Sequence, residues 1–231
     1  MLLQNIEIGK HLYWKFFGGV LHGQVIIMCL FICIIITFIA FLGFFKIHII
    51  PNKFQNFNEV VVLFLINLTK DQLGENHYQE WLPFIGTLFI FILTSNCIGE
   101  ILPLKLIKLS KSELNSPTND LNTTIALALL TSFSYFYAGI SEKGLYYFKK
   151  YICPSFVFLP LNILEDFTKP LSLSFRLFGN VLADELIIVV LTSLVPILIP
   201  LPFIMLSFFS GSIQALIFSI LSTNYIAESL E

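Results

Sequence analysis

The sequence predicts an all-α integral membrane protein with about five membrane-crossing helices, one interfacial amphipathic helix and a long helical hairpin at its end. Of its 231 residues, 56% are hydrophobic and only 12% are charged, whereas soluble domains carry about 25% charged residues. The hydrophobic residues fall in separate stretches of roughly the 20 residues that a helix needs to cross a bilayer. This length fits one membrane domain, residues 1–231, better than several soluble domains.

Three predicted spans come first in the chain. The first covers residues 25–45 and has no charged side chain. The second covers residues 83–102 and is interrupted by Asn96 and Glu100, and the third covers residues 123–140, which are rich in Ser, Thr and Tyr. Each is long enough, or nearly so, to cross the hydrocarbon core as an α-helix.

The other predicted elements are a tail, an amphipathic helix and the hairpin. A small lysine excess on the opposite side places the tail, residues 1–24, outside. Residues 54–73 predict a helix lying in the membrane interface, because apolar residues recur at helical spacing: Phe57, Val60, Val61, Phe64 and Leu68. Residues 163–227 form two long apolar helices joined around three prolines: Pro196, Pro200 and Pro202.

The composition excludes some classes of function. The formal net charge is −2, so the chain has no basic field for nucleic acid. Its four cysteines have no metal-ligand spacing and form no disulfide framework, and its four histidines do not cluster. We therefore expect no metal and no cofactor. The partner expected from composition alone is the lipid bilayer.

One arginine, Arg176, stands within the long apolar stretch that begins the hairpin, and every other basic residue is a lysine. A guanidinium stays charged at any relevant pH. At mid-bilayer it costs about 2.5–3.5 kcal/mol on insertion scales. A residue this costly usually faces a water-filled cavity or a partner charge, which indicates a functional site.

Helical geometry places other polar residues relative to Arg176. At 100° per residue, four polar residues at steps of four form a slowly drifting stripe: Ser172, Arg176, Asn180 and Asp184. Glu165 falls about 20° from the Arg176 face if the helix survives Pro170, whereas Glu185 falls on the opposite face. One helix therefore offers a cation at its middle and a carboxylate toward each end, on different sides.

Structural roles remain open for several of these residues. Gln214, on the last helix, is positioned to hydrogen-bond across to the Arg176 face, and Asn180 and Gln214 can equally serve only to join helices. Arg176 and Glu185 can form a buried ion pair, although their opposed faces argue against it. Glu100 and Asp120 are either functional or merely interfacial charges.

A membrane interior with one fixed cation and acids on two faces indicates ion movement. Carboxylates relay protons, and the membrane potential contributes about 2.3 kcal/mol per charge per 100 mV. However, a continuous relay through one protein would leak, and the fixed charge of Arg176 would repel a passing cation. Another component must therefore carry the ion past it.

The region around Arg176 closely resembles subunit a of the F-type ATP synthase, in its plastid and cyanobacterial form. The resemblance rests on NILEDFTK at residues 162–169, PLSLSFRLFGN at 170–180 and VLADEL at 181–186. It extends over nearly the whole chain through further motifs in order: GKHLYW, HGQV, PFIGTLF, PTND, NTT, ALALLTS, YFYAG and IQALIF.

The resemblance implies two aqueous half-channels that open on opposite sides and do not meet. Carboxylates of a rotor ring, built from subunit c, would carry each proton between them, and subunits b would form the peripheral stalk. Arg176 matches the essential arginine that faces the rotor carboxylate and separates the half-channels. The final hairpin would be long and tilted, following the ring, and the chain would be a non-catalytic subunit in the plastid thylakoid membrane, or in a cyanobacterial thylakoid or another coupling membrane.

The resemblance also assigns sides to the polar residues. Asn96, Glu185 and Gln214 match family residues of the inlet half-channel, and Asn180 lies beside the arginine. Asp184, Glu100 and Asp120 are further candidates for the inlet or its lining. Glu165 matches the acid near the outlet. Two departures stand out: Gly99 replaces an aspartate that bacterial members often carry, and Ser207 replaces a histidine on the last helix.

Two other functions are compatible with the polar pattern. A secondary transporter would use Arg176 to bind an anionic substrate, but such folds commonly contain paired repeats, and this sequence shows none. A membrane scaffold would use its polar residues only to join helices. It would tolerate replacement of both Arg176 and Glu185.

Overall fold

The computed structural model describes residues 13–16, 19–44, 51–101, 108–109, 112–113, 116–144, 146–147, 159–194 and 200–230. Five helices dominate it: α1 (Gly23–Phe44), α2 (Lys53–Ile101), α3 (Leu121–Lys143), α4 (Leu159–Leu194) and α5 (Pro200–Leu230). The predicted all-α integral membrane fold is thereby confirmed. Much of the predicted tail and the connection at residues 195–199 lie outside the described residues.

Two short antiparallel hairpins accompany the helices. The first pairs β1 (Tyr13–Phe16) with β2 (Gly19–His22) just before α1. The second pairs β3 (Lys108–Leu109) with β4 (Ser112–Glu113) between α2 and α3. The helical pattern of the sequence gave no signal for either, because each is only a few residues long.

Four helices are long and apolar enough to cross a membrane among the residues described, within the ranges Gly23–Gly43, Lys53–Gly99, Leu121–Lys143 and Pro200–Leu230. The fifth predicted crossing, α4, is not among them. Its 36 residues interleave apolar side chains with the charged residues that make up the candidate site. Six charged side chains therefore divide the apolar sequence of α4 into short stretches.

α2 joins two elements that the sequence predicts separately, the helix at residues 54–73 and the span at 83–102. The helix is kinked at Gly74, whose φ of 73° is accessible to glycine and strained for other residues. The chain bends back there, so that the Phe64 and Phe89 rings lie 5.8 Å apart. Lys70 and Glu75 form an ion pair of 2.8 Å across the kink.

The first half of α2 has a narrow buried face and a broad exposed one. Leu65, Thr69 and Leu73 are buried against the rest of the protein. Phe57 and Val60, which the sequence assigns to an apolar face, are 61% and 57% exposed. Such a surface suits contact with lipid, and its position in the membrane interface stays a prediction.

α3 begins and ends with recognisable capping residues. The Asp120 carboxylate accepts a hydrogen bond from the backbone N–H of Asn122, as an N-cap does. At the other end, Gly144 has φ +59°, and its N–H donates to the carbonyl of Ile140. The positive φ at this position is accessible to glycine and strained for other residues.

α5 is the central helix of the bundle and contacts α2, α3 and α4. The main core cluster contains Ala215 and Phe218 from α5, Leu88 and Ile92 from α2, and residues of α3 and α4. The α5 face toward this core also carries small polar residues, among them Ser219, Ser222 and Thr223. Small side chains allow helices to approach closely, which fixes the positions of the polar groups described next.

Candidate functional site

Arg176 lies near the middle of α4, and its side chain is exposed on the outer surface of the bundle. Its neighbours Leu171 and Phe175 are 50% and 53% exposed, so this face is apolar apart from the stripe that contains the arginine. Arg176 makes no hydrogen bond or ion pair with any part of the chain that the structure describes. The guanidinium is therefore available to a group outside this chain.

Small residues accompany Arg176 on the same outward surface. Gly179, Asn180 and Ala183 are all exposed. A Cβ added to Gly179 would meet no other atom within 4 Å, so open space adjoins the backbone there. Small residues beside a charged group permit another helix to approach closely.

The two helices of the hairpin are joined by the hydrogen bond that the sequence predicts. The Asn180 amide donates to Gln214 Oε1 at 2.7 Å, and Gln214 is only 2% exposed. Because Asn180 lies one turn after Arg176, this bond fixes α5 directly behind the arginine. Asn180 and Gln214 therefore join the two helices, and their role in proton conduction stays a prediction.

Asn96 joins α2 to α5 at nearly the same level. Its amide nitrogen donates to the carbonyl of Gly211 at 2.9 Å, and a Cβ on Gly211 would lie 3.1 Å from the Asn96 Cβ. The side chain of Asn96 is 4% exposed. Asn96, Gln214 and Asn180, which lie far apart in sequence, thus form a row across three helices.

The two acids that follow on α4 contact different elements. The Asp184 carboxylate interacts electrostatically with the Ser207 and Ser210 hydroxyls of α5, but the Ser207 hydroxyl does not reach hydrogen-bond geometry. Glu185 accepts a hydrogen bond from the Asn119 amide. Asn119 belongs to a single 3-10 turn, Pro117–Asn119, that precedes α3. Glu185 is thus held by the turn, on the side away from Arg176, and does not pair with the arginine.

The structure gives less support to an inlet role for Asp120 and Glu100 than for the other candidates. Asp120 is the N-cap of α3, which gives it a structural role close to Glu185 in the fold. The backbone of Glu100 lies in the last turn of α2, while its side chain falls outside the described part of the structure. The predicted lining role of both residues stays a prediction.

A charged cluster lies toward the other end of the hairpin, before Arg176. Lys169 Nζ lies 2.9 Å from Glu228, 3.1 Å from Glu165 and 3.9 Å from Asp166. The lysine side chain is 14% exposed and also lies 5.5 Å from the centre of the Tyr225 ring. α4 continues through Pro170, so Glu165 remains on the same helix as Arg176, with its carboxylate paired to this lysine.

Distances along α4 separate the two acidic regions. At 1.5 Å per residue, Glu165 lies about 16 Å before Arg176 and Glu185 about 14 Å after it. The two carboxylates are therefore about 30 Å apart along the helix axis, with the arginine between them. That separation is similar to the roughly 30 Å thickness of a bilayer core.

Buried polar atoms without a hydrogen bond in the described structure mark the Glu185 end of the bundle. They are Gln24 Oε1, Ser95 Oγ, Asn96 Oδ1, Asn119 Oδ1 and Ser207 Oγ. Buried polar atoms are normally satisfied by protein or by ordered water, and internal water binds at such polar positions. These atoms therefore indicate hydration on the Glu185 side.

One cleft among the described residues has a different character. It has a volume of about 740 Å³ and lies between α3 and the first half of α4. Its lining includes Leu129, Phe136, Phe167 and Leu171, with few polar atoms. An apolar cleft of this kind suits hydrocarbon and does not provide a path for water.

The fold and this site define a multi-pass membrane protein with ionisable groups along its hairpin. The sequence model of one family, described as ATP synthase A chain, matches residues 25–227. The chain therefore belongs to the ATP synthase A chain family. It is a proton-channel component of the membrane sector of ATP synthase and a multi-pass protein of a coupling membrane.

Three residues of the site were not singled out from the sequence. Lys169 follows Glu165 by four residues, which is an ion-pair spacing on a helix, so a local signal was present. Asn119 lies in the PTND turn, but no pattern connects it to Glu185, 66 residues later. Glu228 is likewise 59 residues from Lys169. Only the packed structure brings these pairs together.

Proposed function

We propose that this chain is the stator subunit of the plastid-type ATP synthase membrane sector, and that it delivers protons to and from a rotor through two offset half-channels. The observation that carries the proposal is the exposure of Arg176 on the outside of the bundle at mid-helix. A charge this costly in lipid needs a partner, and the described part of the chain supplies none. A rotor-ring carboxylate of subunit c is the partner that fits.

The inlet half-channel would lie on the Glu185 side. Asn96, Asn180, Asp184 and Gln214 would line it, together with the incompletely hydrogen-bonded atoms of that end. Water at those positions would connect one membrane surface with the rotor carboxylate. Glu100 and Asp120 are candidates for its outer part.

The outlet half-channel would lie on the Glu165 side. A proton delivered to the rotor would travel almost a full turn before it is released there. Arg176 keeps the passing carboxylate ionised and repels protons, so the two water paths do not join. The separation of Glu165 and Glu185 along α4, on opposite sides of the arginine, supports this arrangement.

The proposal includes the partners and the location. The rotor ring of subunit c would face α4 and α5, whose length of 36 and 31 residues exceeds an upright crossing and suits a tilted hairpin. Peripheral-stalk subunits b would bind elsewhere on the bundle. The membrane would be the plastid thylakoid, and the chain itself would catalyse no covalent reaction.

The alternative of an anion transporter fits the geometry less well. A transported substrate binds between helices near the bilayer midplane, whereas Arg176 faces outward. Uptake of a labelled anion by the purified chain alone would favour the transporter and contradict the stator.

The decisive experiment replaces Arg176 with alanine in the assembled ATP synthase, reconstituted in vesicles. We expect proton-driven ATP synthesis to be abolished and passive proton leak through the membrane sector to rise, because the barrier between the half-channels is lost. Arg176→Lys should also fail, because a lysine enclosed against the rotor loses its proton more readily than an arginine does and lacks the guanidinium fork.

Ser193→Ala is a suitable control for this experiment. Ser193 is exposed near the end of the same helix, and its hydroxyl donates only to the carbonyl of Val190. This variant should couple like the parent complex. Intact coupling in Arg176→Ala would refute the proposal.

A further inference from the structure

The turn before α3 packs directly onto α4 at Glu185. The Asn119 amide nitrogen donates to Glu185 Oε2, although the turn contributes no other side chain to the predicted site except Asp120. The contact joins a turn at the end of one helix with a carboxylate in the second half of another.

Several contacts hold this turn in one position. The Thr123 hydroxyl donates to the carbonyls of Pro117 and Asp120. Gly99 of α2 lies so close to Ser116 that an added Cβ would be 2.7 Å from the Ser116 Cβ. The turn is therefore wedged between α2 and α4, and Asn119 has little freedom to move away from Glu185.

The other end of the Asn119 amide is buried without a partner in the described structure. Asn119 Oδ1 is inaccessible to bulk solvent and accepts no hydrogen bond from those residues. A buried amide oxygen is normally satisfied, and water is the usual substitute where protein provides no donor. The amide is thus arranged to connect Glu185, through its nitrogen, with water, through its oxygen.

We propose that Asn119 is a positioning residue of the proton inlet, which holds the Glu185 carboxylate and binds the water that leads to it. This inference rests on the proposed function, because it assigns Asn119 to the inlet side of the stator. A neutral amide suits the role because it donates to an ionised carboxylate, which an aspartate at position 119 would not do.

The charged groups near Glu185 limit the possible explanations of its behaviour. On α4 itself, the nearest is Asp184, and at the start of α3 it is Asp120. α5 carries no acidic or basic side chain before Glu228, and Arg176 is about 14 Å away along α4. Glu100 lies in the last turn of α2, on the same side of the bundle. Among these groups, the Asn119 amide supplies the Glu185 carboxylate with a hydrogen-bond donor.

The test measures proton-driven ATP synthesis against the pH of the inlet compartment, with the opposite pH and the membrane potential held constant. The assembled complex carries Asn119→Ala or Asn119→Asp. Loss of a donor to the ionised carboxylate favours its protonated form. We therefore expect the half-maximal rate to move to higher pH, by about one pH unit for Asn119→Ala, and further for Asn119→Asp, which adds a like charge.

Asn122→Ala is the matched control. Asn122 lies three residues later in the same region, is exposed, and bonds only to Asp120. Its variant should keep the parent midpoint. An unchanged midpoint in both Asn119 variants, with the rate lowered equally at every pH, would overturn the inference and leave Asn119 a structural residue.

The proposed function fails in a different way. If the chain were not the stator, Arg176→Ala and Glu185→Gln would both leave synthesis intact. If only the inference about Asn119 were wrong, those two variants would still lose synthesis while the Asn119 midpoints matched the control. Asn119→Asp is nearly isosteric with the parent residue, so it remains informative if the alanine variant fails to assemble.

Discussion

Removal of the Lys169 charge tests how the hairpin is held together at the end remote from its loop. In Lys169→Met, three carboxylates from Glu165, Asp166 and Glu228 remain close together without their shared cation. Methionine preserves most of the apolar stem of the lysine, whereas the ammonium group, which lies 5.5 Å from the centre of the Tyr225 ring, is removed with its charge. The change therefore removes the charge and little of the packing.

The magnitude follows from the exposure of the partners. Breaking a fully buried ion pair costs about 3–5 kcal/mol, and an exposed pair contributes about 0.2–1 kcal/mol. The Lys169 side chain is 14% exposed, whereas Glu228 and Glu165 are 42% and 53% exposed. Because solvent screens the partly exposed carboxylates, we expect Lys169→Met to destabilise the protein by about 2 kcal/mol, midway between those limits.

Glu228→Gln should cost less, about 1 kcal/mol, because Lys169 keeps the other two acids. For the same reason, Glu165→Gln and Glu228→Gln together should cost more than the sum of the single variants. Groups that share one partner are not additive, and the coupling is typically about 0.5–3 kcal/mol.

The assay is thermal dissociation of the purified complex in detergent, measured for each single and double variant. Lys143→Met is the control, since Lys143 lies in the last turn of α3 and forms no ion pair with the described residues. The reasoning is refuted if Lys169→Met is no more destabilising than this control, or if the two acidic variants are simply additive.

Two further predictions concern the inlet side. In a background without the native cysteines, Ser207→Cys should react with a small water-soluble thiol reagent at least about tenfold faster than Ser219→Cys. Both serines are buried on α5, but Ser207 lacks a completed hydrogen bond, whereas Ser219 donates to the Leu216 carbonyl. Equal reaction rates would contradict a hydrated inlet at Ser207. Asp120→Asn should keep both stability and ATP synthesis, because asparagine caps a helix as well as aspartate does. Asp120→Ala should destabilise the complex by about 1 kcal/mol. Loss of proton transport in a stable Asp120→Asn complex would instead make Asp120 part of the proton path.

The sequence predicted the helices better than their arrangement. Hydropathy located α1, the second half of α2, α3 and α5, because the requirement to satisfy every backbone group in lipid leaves a helix as the only solution. It did not predict the bend at Gly74. A glycine within an otherwise helical pattern is tolerated in either conformation, and only the packing of Phe64 on Phe89 shows which one is adopted.

The same limit applies to the candidate site. The period of the α-helix was sufficient to place Glu165 and Glu185 toward different ends and faces of α4 around Arg176, and to anticipate the contact of Gln214 with that face. It was not sufficient to find Asn119, because hydrogen bonds between distant segments leave no periodic signal in either segment.

What the sequence determined by itself is that a lone arginine stands at the middle of a long helix in a membrane protein, with acids displaced to either side. Only the tertiary structure decided that Arg176 faces outward, that Glu185 is held by the turn before α3, and that Lys169 joins the two helices of the hairpin. The physical reason is that lipid and protein interior are equally apolar. Hydropathy can therefore tell which residues enter the membrane, but only packing decides which of them face a neighbouring helix and which face outward.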